Sequence, residues 1–307
     1  MTEAQDKAPF DPEQFLNDME VAAACISATF CREVCAKAVK VFEDDFRRQV
    51  LQWKATDVPG GSLYFRFLST DSYDPVQRAI HAGIIDTPAR HLLDLQPNVL
   101  EAISGSVRSG VDFDSQRGFA KVWTYTTPIP VKAALTVKGL PDALQAFAPL
   151  YEEFGLEGVG FFATDFIQKS MTIYFGWTKS PVTKPWLDRF YALTSHEPVA
   201  ESTTEDILAS ASQLRGVSMT FNWESAHIIR SAIYRFGLSY ERSAEREHLP
   251  RLPASLQRLV NEAPSLNQES CYHLAWSFGS PCNYMKLEKN YAQSVHAFLA
   301  KERGITL

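Results

Sequence analysis

Along this chain the spacing of apolar residues switches between two periods, and the switches recur in one order. From Asp11 to about Arg48 the apolar residues fall at helical intervals. Phe15, Met19, Ala22, Ala23 and Ile26 share one face, and Val34, Ala38, Val41, Phe42 and Phe46 form a second helical set. Pro12 after Asp11 suits a first helical turn, where its missing N–H is not needed. Two strand-like runs follow over 50–57 and 62–70, joined by the turn signal Pro59-Gly60-Gly61. The order then repeats. Helical spacing over 74–83 and 89–104 precedes strands over 106–113 and 118–127. Helical 141–155 precedes strands over 157–166 and 170–177, and helical 184–195 and 203–213 precede 216–223 and 227–237. Helical 253–262 precedes strands over 270–279 and 283–290, and a terminal helix is expected over 292–302.

This pattern predicts about five helix-plus-hairpin units with about ten strands. Short turns join antiparallel neighbours. Ten such strands, with helices between the hairpins, can close into one barrel and so lose their exposed edges. A barrel of that size leaves a lumen wider than side chains alone fill. The expected fold is therefore α+β: a closed antiparallel barrel, helices outside, the active site in the lumen. No low-complexity linker divides the chain, so one domain over 1–307 is expected, with 1–10 flexible. Strand period 2 sorts the inner face. Tyr64, Arg66 and Leu68 share one side; so do Lys121, Trp123 and Tyr125; Thr172, Tyr174 and Gly176; Arg230, Ala232 and Tyr234; and Tyr284, Lys286 and Glu288.

Lone cations recur inside these apolar runs: Lys54, Arg66, Lys121, Arg230 and Lys286. A cation buried in a strand core is costly unless something pairs with it. Repeated on separate strands and interleaved with aromatics, these cations point to a shared anion beside an apolar wall. Composition narrows the classes. The formal net charge is −6 with no long basic run, which argues against a general nucleic-acid binder. No apolar run approaches a membrane span, and the N-terminus is polar with no signal-like core, so a cytoplasmic protein is expected. The chain has 20 Phe, 11 Tyr and 6 Trp, enough for both a core and an aromatic-lined cavity. Its 5 cysteines are an odd number and read as buried free thiols; Cys31 and Cys35 have helical spacing, but no partner set completes a zinc site. Glu43-Asp44-Asp45 reads as a solvated helix face, and Asp112 and Asp114 as turn structure. The scattered histidines receive no role. A nucleotide P-loop, a dinucleotide fingerprint and a nucleophile elbow are all missing.

Several stretches in order carry a resemblance: Trp53-Lys54 then Leu63-Tyr64-Phe65-Arg66-Phe67; Asp112-Phe113-Asp114 through Arg117-Gly118-Phe119-Ala120-Lys121; Tyr174-Phe175; Thr220-Phe221-Asn222-Trp223-Glu224; and Trp276-Ser277-Phe278-Gly279 through Tyr284-Met285-Lys286-Leu287-Glu288. Together they resemble the soluble aromatic prenyltransferases of the ABBA, or PT-barrel, family. The similarity is closest to the 4-hydroxyphenylpyruvate dimethylallyltransferases of aminocoumarin pathways. The resemblance implies a ten-stranded barrel of five αα-ββ repeats. It also implies transfer of a prenyl group, usually dimethylallyl, from its diphosphate to an electron-rich aromatic ring in specialised metabolism.

Carried over by position, Lys54, Arg66, Lys121, Arg230 and Lys286 match cations that hold the diphosphate. Tyr174, Tyr234 and Tyr291 match tyrosines that line or close that site, and Glu288 matches a glutamate near the acceptor. Leu68, Gly160, Phe162 and Ser218, with Glu288, are the expected acceptor pocket. Two departures matter. Tyr64 stands where magnesium-dependent relatives carry an aspartate, and Arg66 can supply the charge instead. Gly160 stands where users of 4-hydroxyphenylpyruvate carry an arginine. The resulting expectation is a monomeric, magnesium-independent dimethylallyltransferase without cofactor. Its partners are a prenyl diphosphate and a neutral phenol- or naphthol-type acceptor, with no nucleic acid and no membrane. The rival is a non-catalytic barrel that binds a small amphipathic anion.

Overall fold

A computed structural model describes residues 10–69, 73–85, 97–99, 101, 108–138, 140, 142–176, 181–194, 197–225, 227–239, 249–266 and 271–293. Ten strands form one closed barrel: β1 (Val50–Thr56), β2 (Tyr64–Ser69), β3 (Arg108–Asp114), β4 (Gly118–Pro130), β5 (Gly158–Asp165), β6 (Ser170–Gly176), β7 (Leu214–Asn222), β8 (Ile228–Ser239), β9 (Cys271–Gly279) and β10 (Tyr284–Ala292). Each strand pairs antiparallel with its neighbours in sequence, and β1 pairs with β10 to close the ring. This is the barrel the apolar periods predict. The expected flexible 1–10 falls almost wholly outside the described residues, as do the terminal helix over 292–302 beyond Gln293 and most of the helix over 89–104.

Helices lie against the outer face. They include α1 (Pro12–Cys25), α2 (Arg32–Val41), α3 (Glu43–Arg48) and α4 (Pro75–His81). The Asp11 carboxylate accepts from the Glu13 and Gln14 amides, and Asp74 caps α4 in the same way, each with proline next. The second helical set, expected to run to about Arg48, breaks at Phe42, which separates α2 from α3. The acidic run there is not simply solvated: Asp45 is buried and accepts from Arg78 at 3.0 Å. Among the described residues no helix is long and apolar enough to cross a membrane.

Alternation along the strands puts two different chemistries on the two faces. Outward residues build an aromatic core beneath the helices: Phe15 stacks on Trp53 at 5.2 Å, and Phe65 stacks on Phe113 at 5.0 Å. The inward residues between them are Lys54, Arg66 and Asp112. The hydrophobic drive therefore acts on the outer face, where the helices cover it, and leaves the inner face for polar groups. Gly279 faces Arg230 across the β8–β9 pair with φ +128, and a side chain there would collide with the Ile229 carbonyl, so only glycine lets the strands meet.

Bulges shift this alternation at a few points, and one changes the site. The register of β5 slips between Val159 and Phe161. Val159 faces the helix core, Gly160 sits in the slip, Phe161 turns into the lumen and Phe162 turns out into the outer core.

Candidate active site

The lumen has two tiers. Near the hairpin turns stand charged groups from the strand ends: Lys54, Lys121, Asp165 and Arg230. Toward the opposite rim stand Val50, Leu68, Tyr125 and Phe161. Tyr125 packs on Val50 and Leu68, and meets Phe161 edge-on at 5.0 Å. Between the tiers runs one connected ion cluster. Lys54 Nζ donates to Asp112 Oδ2 and sits 4.2 Å above the Tyr64 ring. Arg66 grips the same carboxylate, with Nε 2.7 Å from Oδ1 and Nη2 donating to Oδ2 at 3.1 Å. Arg66 Nη1 then donates to Glu288 Oε2 at 3.0 Å. Lys286 Nζ lies 3.2 Å from the other Glu288 oxygen and donates to the Tyr234 hydroxyl at 3.3 Å. The Tyr234 hydroxyl meets Ser218 Oγ at 3.1 Å.

Trp123 is the hub of the aromatic wall. The Arg66 guanidinium lies 4.8 Å from its ring centre, Lys121 Nζ 5.8 Å and Lys286 Nζ 6.0 Å. The Tyr174 ring lies 4.8 Å from Trp123, and Tyr234 continues the wall from Tyr174 at 5.6 Å. An indole face is the best aromatic partner for a cation. Positive charge and a π surface that tolerates a carbocation therefore stand side by side.

Burial and pairing set the charge states. Burial works against the Glu288 carboxylate, yet Arg66 and Lys286, with His273 and Lys54, hold its pKa well below the usual range. The Asp112 carboxyl is likewise held low, because Arg66 and Lys54 outweigh its burial. Lys54 goes the other way. Burial, aided by neighbouring Arg66, Lys121 and Lys286, brings its pKa down to about 8 despite Asp112. Burial raises the Tyr64, Tyr125 and Tyr174 phenols, which stay neutral and can donate. The site is thus a cage of fixed cations around an ionised glutamate, closed on one side by aromatic rings. It can hold a polyanion and, next to it, an aromatic ring bearing a hydroxyl.

The structure places most of the sequence-expected residues in this lumen. Lys54, Arg66, Lys286, Glu288, Tyr234 and Ser218 join one network, and Lys121 and Tyr174 flank it. Lys121 Nζ is 3.3 Å from Asp165 Oδ2. Arg230 is also lumen-side but at the hairpin end, donating to the Ser280 carbonyl with its guanidinium 4.5 Å over the Tyr284 ring. Leu68 lines the far rim with Val50 and Tyr125.

Two expected residues are elsewhere. Tyr291 faces the helices: its hydroxyl donates to Asp18 at 2.7 Å and its ring packs on Trp53 at 4.7 Å. It is out of phase with Lys286 and Glu288, so period 2 alone would have excluded it. Phe162 lies in the outer core, and Phe161 takes its place inside because of the bulge at Gly160.

Asp112 is the main residue that sequence reasoning misread. It is not turn structure but the fully buried centre of the cation cluster. Asp114 does shape the turn, accepting from the Gln116 and Arg117 amides. Asp165 does both, capping the Ile167 and Gln168 amides while pairing with Lys121. His273 was given no role, yet it lies on the inner face directly across from Glu288. A groove of about 410 Å³ lined by Lys184, Asp188 and Tyr191 lies on the helix jacket, away from the lumen.

Removing one partner of a buried pair costs about 3–5 kcal/mol because a charge is stranded. Asp112→Asn should therefore unfold at a clearly lower temperature than the wild type. Inorganic diphosphate should raise its melting temperature more than it raises that of the wild type, by replacing the lost negative charge between Lys54 and Arg66. Equal ligand-induced shifts, measured by calorimetry, would contradict this placement of Asp112.

Comparison with known proteins agrees with this geometry. Residues 10–301 match the family described as aromatic prenyltransferase Orf2. A 4-hydroxyphenylpyruvate 3-dimethylallyltransferase from Streptomyces niveus is 30% identical over 292 residues, covering 95% of this chain and 88% of that one. An aromatic prenyltransferase from Sclerotinia sclerotiorum is 30% identical over 304 residues, covering 97% and 96%. In fold alone, the apo form of the prenyltransferase PriB aligns with a TM-score of 0.58 at 13% identity, over 91% of this chain and 96% of that one. The ABBA resemblance and the closed barrel both hold, and a merely anion-binding barrel is set aside. This chain belongs to the aromatic prenyltransferase Orf2 family and is a prenyl-transferring enzyme of the ABBA fold.

Proposed function

We propose that this enzyme moves a dimethylallyl group from its diphosphate to a neutral, hydroxylated aromatic of naphthol type, with no divalent metal. The observation that carries this reading is the grip of Arg66 on both Asp112 and Glu288. Magnesium would look for those carboxylates, since it binds hard anionic oxygens. Here a guanidinium already occupies both, with Lys54 and Lys286 completing the charge balance, and Tyr64 offers only a neutral phenol where relatives carry an aspartate.

In this reading Lys54, Lys121, Arg230 and Lys286 receive the diphosphate oxygens, with the Tyr174 and Tyr234 hydroxyls as uncharged donors. As the C–O bond of the allylic diphosphate breaks, negative charge grows on the leaving group, and preorganised cations stabilise it without reorganising. Trp123 and Tyr174 face the allyl cation and keep water from it. Glu288 is ionised and accepts a hydrogen bond from the acceptor hydroxyl. That raises the nucleophilicity of the ring carbon that attacks. Because Arg66 and Lys286 hold its pKa low, Glu288 orients and polarises the acceptor rather than storing a proton; the ring C–H proton lost after the new C–C bond forms passes to the departed diphosphate.

Gly160 supports the neutral acceptor. It sits at the β5 slip, and a Cβ placed there would meet nothing within 4 Å. No cation projects from that position to match a carboxylate, so an anionic keto acid would be desolvated without a partner. The relative from Streptomyces niveus is named for 4-hydroxyphenylpyruvate. This chain is read as differing from it in acceptor.

Mass spectrometry of reactions with dimethylallyl diphosphate tests this directly. A gain of one prenyl unit on 2,7-dihydroxynaphthalene, undiminished by EDTA and exceeding that on 4-hydroxyphenylpyruvate, is expected. A clear preference for the keto acid, or silencing by EDTA with rescue by magnesium, would refute the acceptor or the metal reading respectively.

The charge on Lys54 gives a pH dependence. Its pKa is lowered to about 8, so the cation is present below that pH and lost above it. Since kcat/KM reports the free enzyme, its value for dimethylallyl diphosphate should fall as pH rises past about 8. Lys54→Arg, which stays charged throughout, should remove that limb. Matching profiles for the two proteins would show that Lys54 does not contact the diphosphate.

A further inference from the structure

Beyond Glu288, on the same face of β10, the lumen holds an amide pair with one donor too many. Gln52 and Asn290 face each other where β1 closes against β10. Both are buried, at 2% and 1% exposure. Gln52 Nε2 donates to Asn290 Oδ1 at 3.0 Å. Asn290 Nδ2 then has no hydrogen-bond partner among the described residues. Turning both amides over would pass the surplus N–H2 to Gln52 without removing it.

A buried donor without an acceptor destabilises the fold, whereas an apolar pair of the same shape would be neutral. The barrel's outer face shows that this chain fills its interior with apolar residues where nothing else is required. The unpaired donor is therefore best explained by a ligand. Its surroundings say which one. Of the cations, Arg66 faces Gln52 across β1–β2 but is already bonded to Asp112 and Glu288, while Lys121, Arg230 and Lys286 lie nearer the hairpin turns. The rim that holds the amide pair also carries Val50, Leu68, Tyr125 and Phe161, which suit a flat ring rather than a diphosphate.

We infer that Gln52 and Asn290 form a second anchor for the aromatic acceptor, donating an N–H to an oxygen on the side of the ring away from the hydroxyl held by Glu288. This rests on the reading of Glu288 as the residue that holds the acceptor. Two residues along a strand separate the anchors by about 7 Å. The acceptor class that follows is a fused-ring hydroxyaromatic with a second oxygen, carbonyl or hydroxyl, across the ring system. A single oxygen leaves one anchor unmet. A site built to hydrogen-bond a group discriminates against the analogue that lacks it, because its own polar group stays unpaired.

Calorimetric binding of 2-naphthol and of 2,7-dihydroxynaphthalene to the full chain, without prenyl donor, tests this subsite. The wild type should bind the diol about tenfold or more tightly than the mono-ol. The double variant Gln52→Leu/Asn290→Leu should bring the two affinities to within about twofold, with its fold checked by circular dichroism. The inference is overturned if the wild type binds both ligands equally or binds neither; that comparison needs no variant. It is also overturned if the folded double variant keeps the diol preference. If the wild type shows the preference but transfers no prenyl group to either naphthol, the proposed acceptor reaction fails while the second anchor stands.

Discussion

Arg66 is the residue on which the site depends. Its guanidinium spans two carboxylates, Asp112 on β3 and Glu288 on β10, from its own position on β2. An arginine can do this because its donors are fixed in a planar fork, so one side chain can face two acceptors at once. A buried guanidinium cannot shed its charge, so with fewer partners it would be left costly and uncompensated. With them it holds Glu288 ionised, leaves Asp112 to position Lys54, and lies over Trp123 as the charged side of the aromatic wall. The proposed diphosphate site, acceptor polarisation and independence from magnesium all trace to the same side chain.

That cluster needs a dry, rigid container, and the barrel's outer face supplies it. The rings of Phe15, Phe46, Trp53, Phe65 and Phe113 pack between helix and sheet on the far side of the strands that carry Lys54, Arg66 and Asp112. The strands are thus anchored by apolar burial on one face while their polar groups face inward. A continuous ring of paired strands leaves no free edge among them. The cations can then be preorganised before any ligand arrives, which is the condition for stabilising charge that develops during reaction.

The fold was legible because it is written in a simple code. The change from period 3.6 to period 2, repeated with turn signals, gave all ten strands to within a few residues. The inner faces followed from parity: Arg66, Lys121, Lys286 and Glu288 lie where alternation puts them. What failed was what parity cannot carry or was not asked to. Tyr291 is odd where its neighbours on the inner face are even, a conflict visible in the sequence but overridden by the resemblance. Phe162 shares the parity of Gly160 in the expected pocket, but a one-residue slip at Gly160, which has no strong local signature, turns Phe161 inward instead. Asp112 was read from its proximity to a turn, although it shares the parity of Gly110, an inward position. Its role depends on Arg66 and Lys54 from two other strands, and only the closed ring brings them together. The surplus donor of Asn290 is likewise a property of the assembled lumen.

A crystal structure of this enzyme with dimethylallyl thiolodiphosphate, grown in EDTA, tests the central claim most directly. The expected result is a diphosphate within hydrogen-bond reach of Lys54, Lys121 and Lys286, its dimethyl end against Trp123 and Tyr174, and Arg66 still bridging Asp112 and Glu288. A diphosphate bound outside the lumen, or an Arg66 displaced from both carboxylates while the ligand binds, would contradict it.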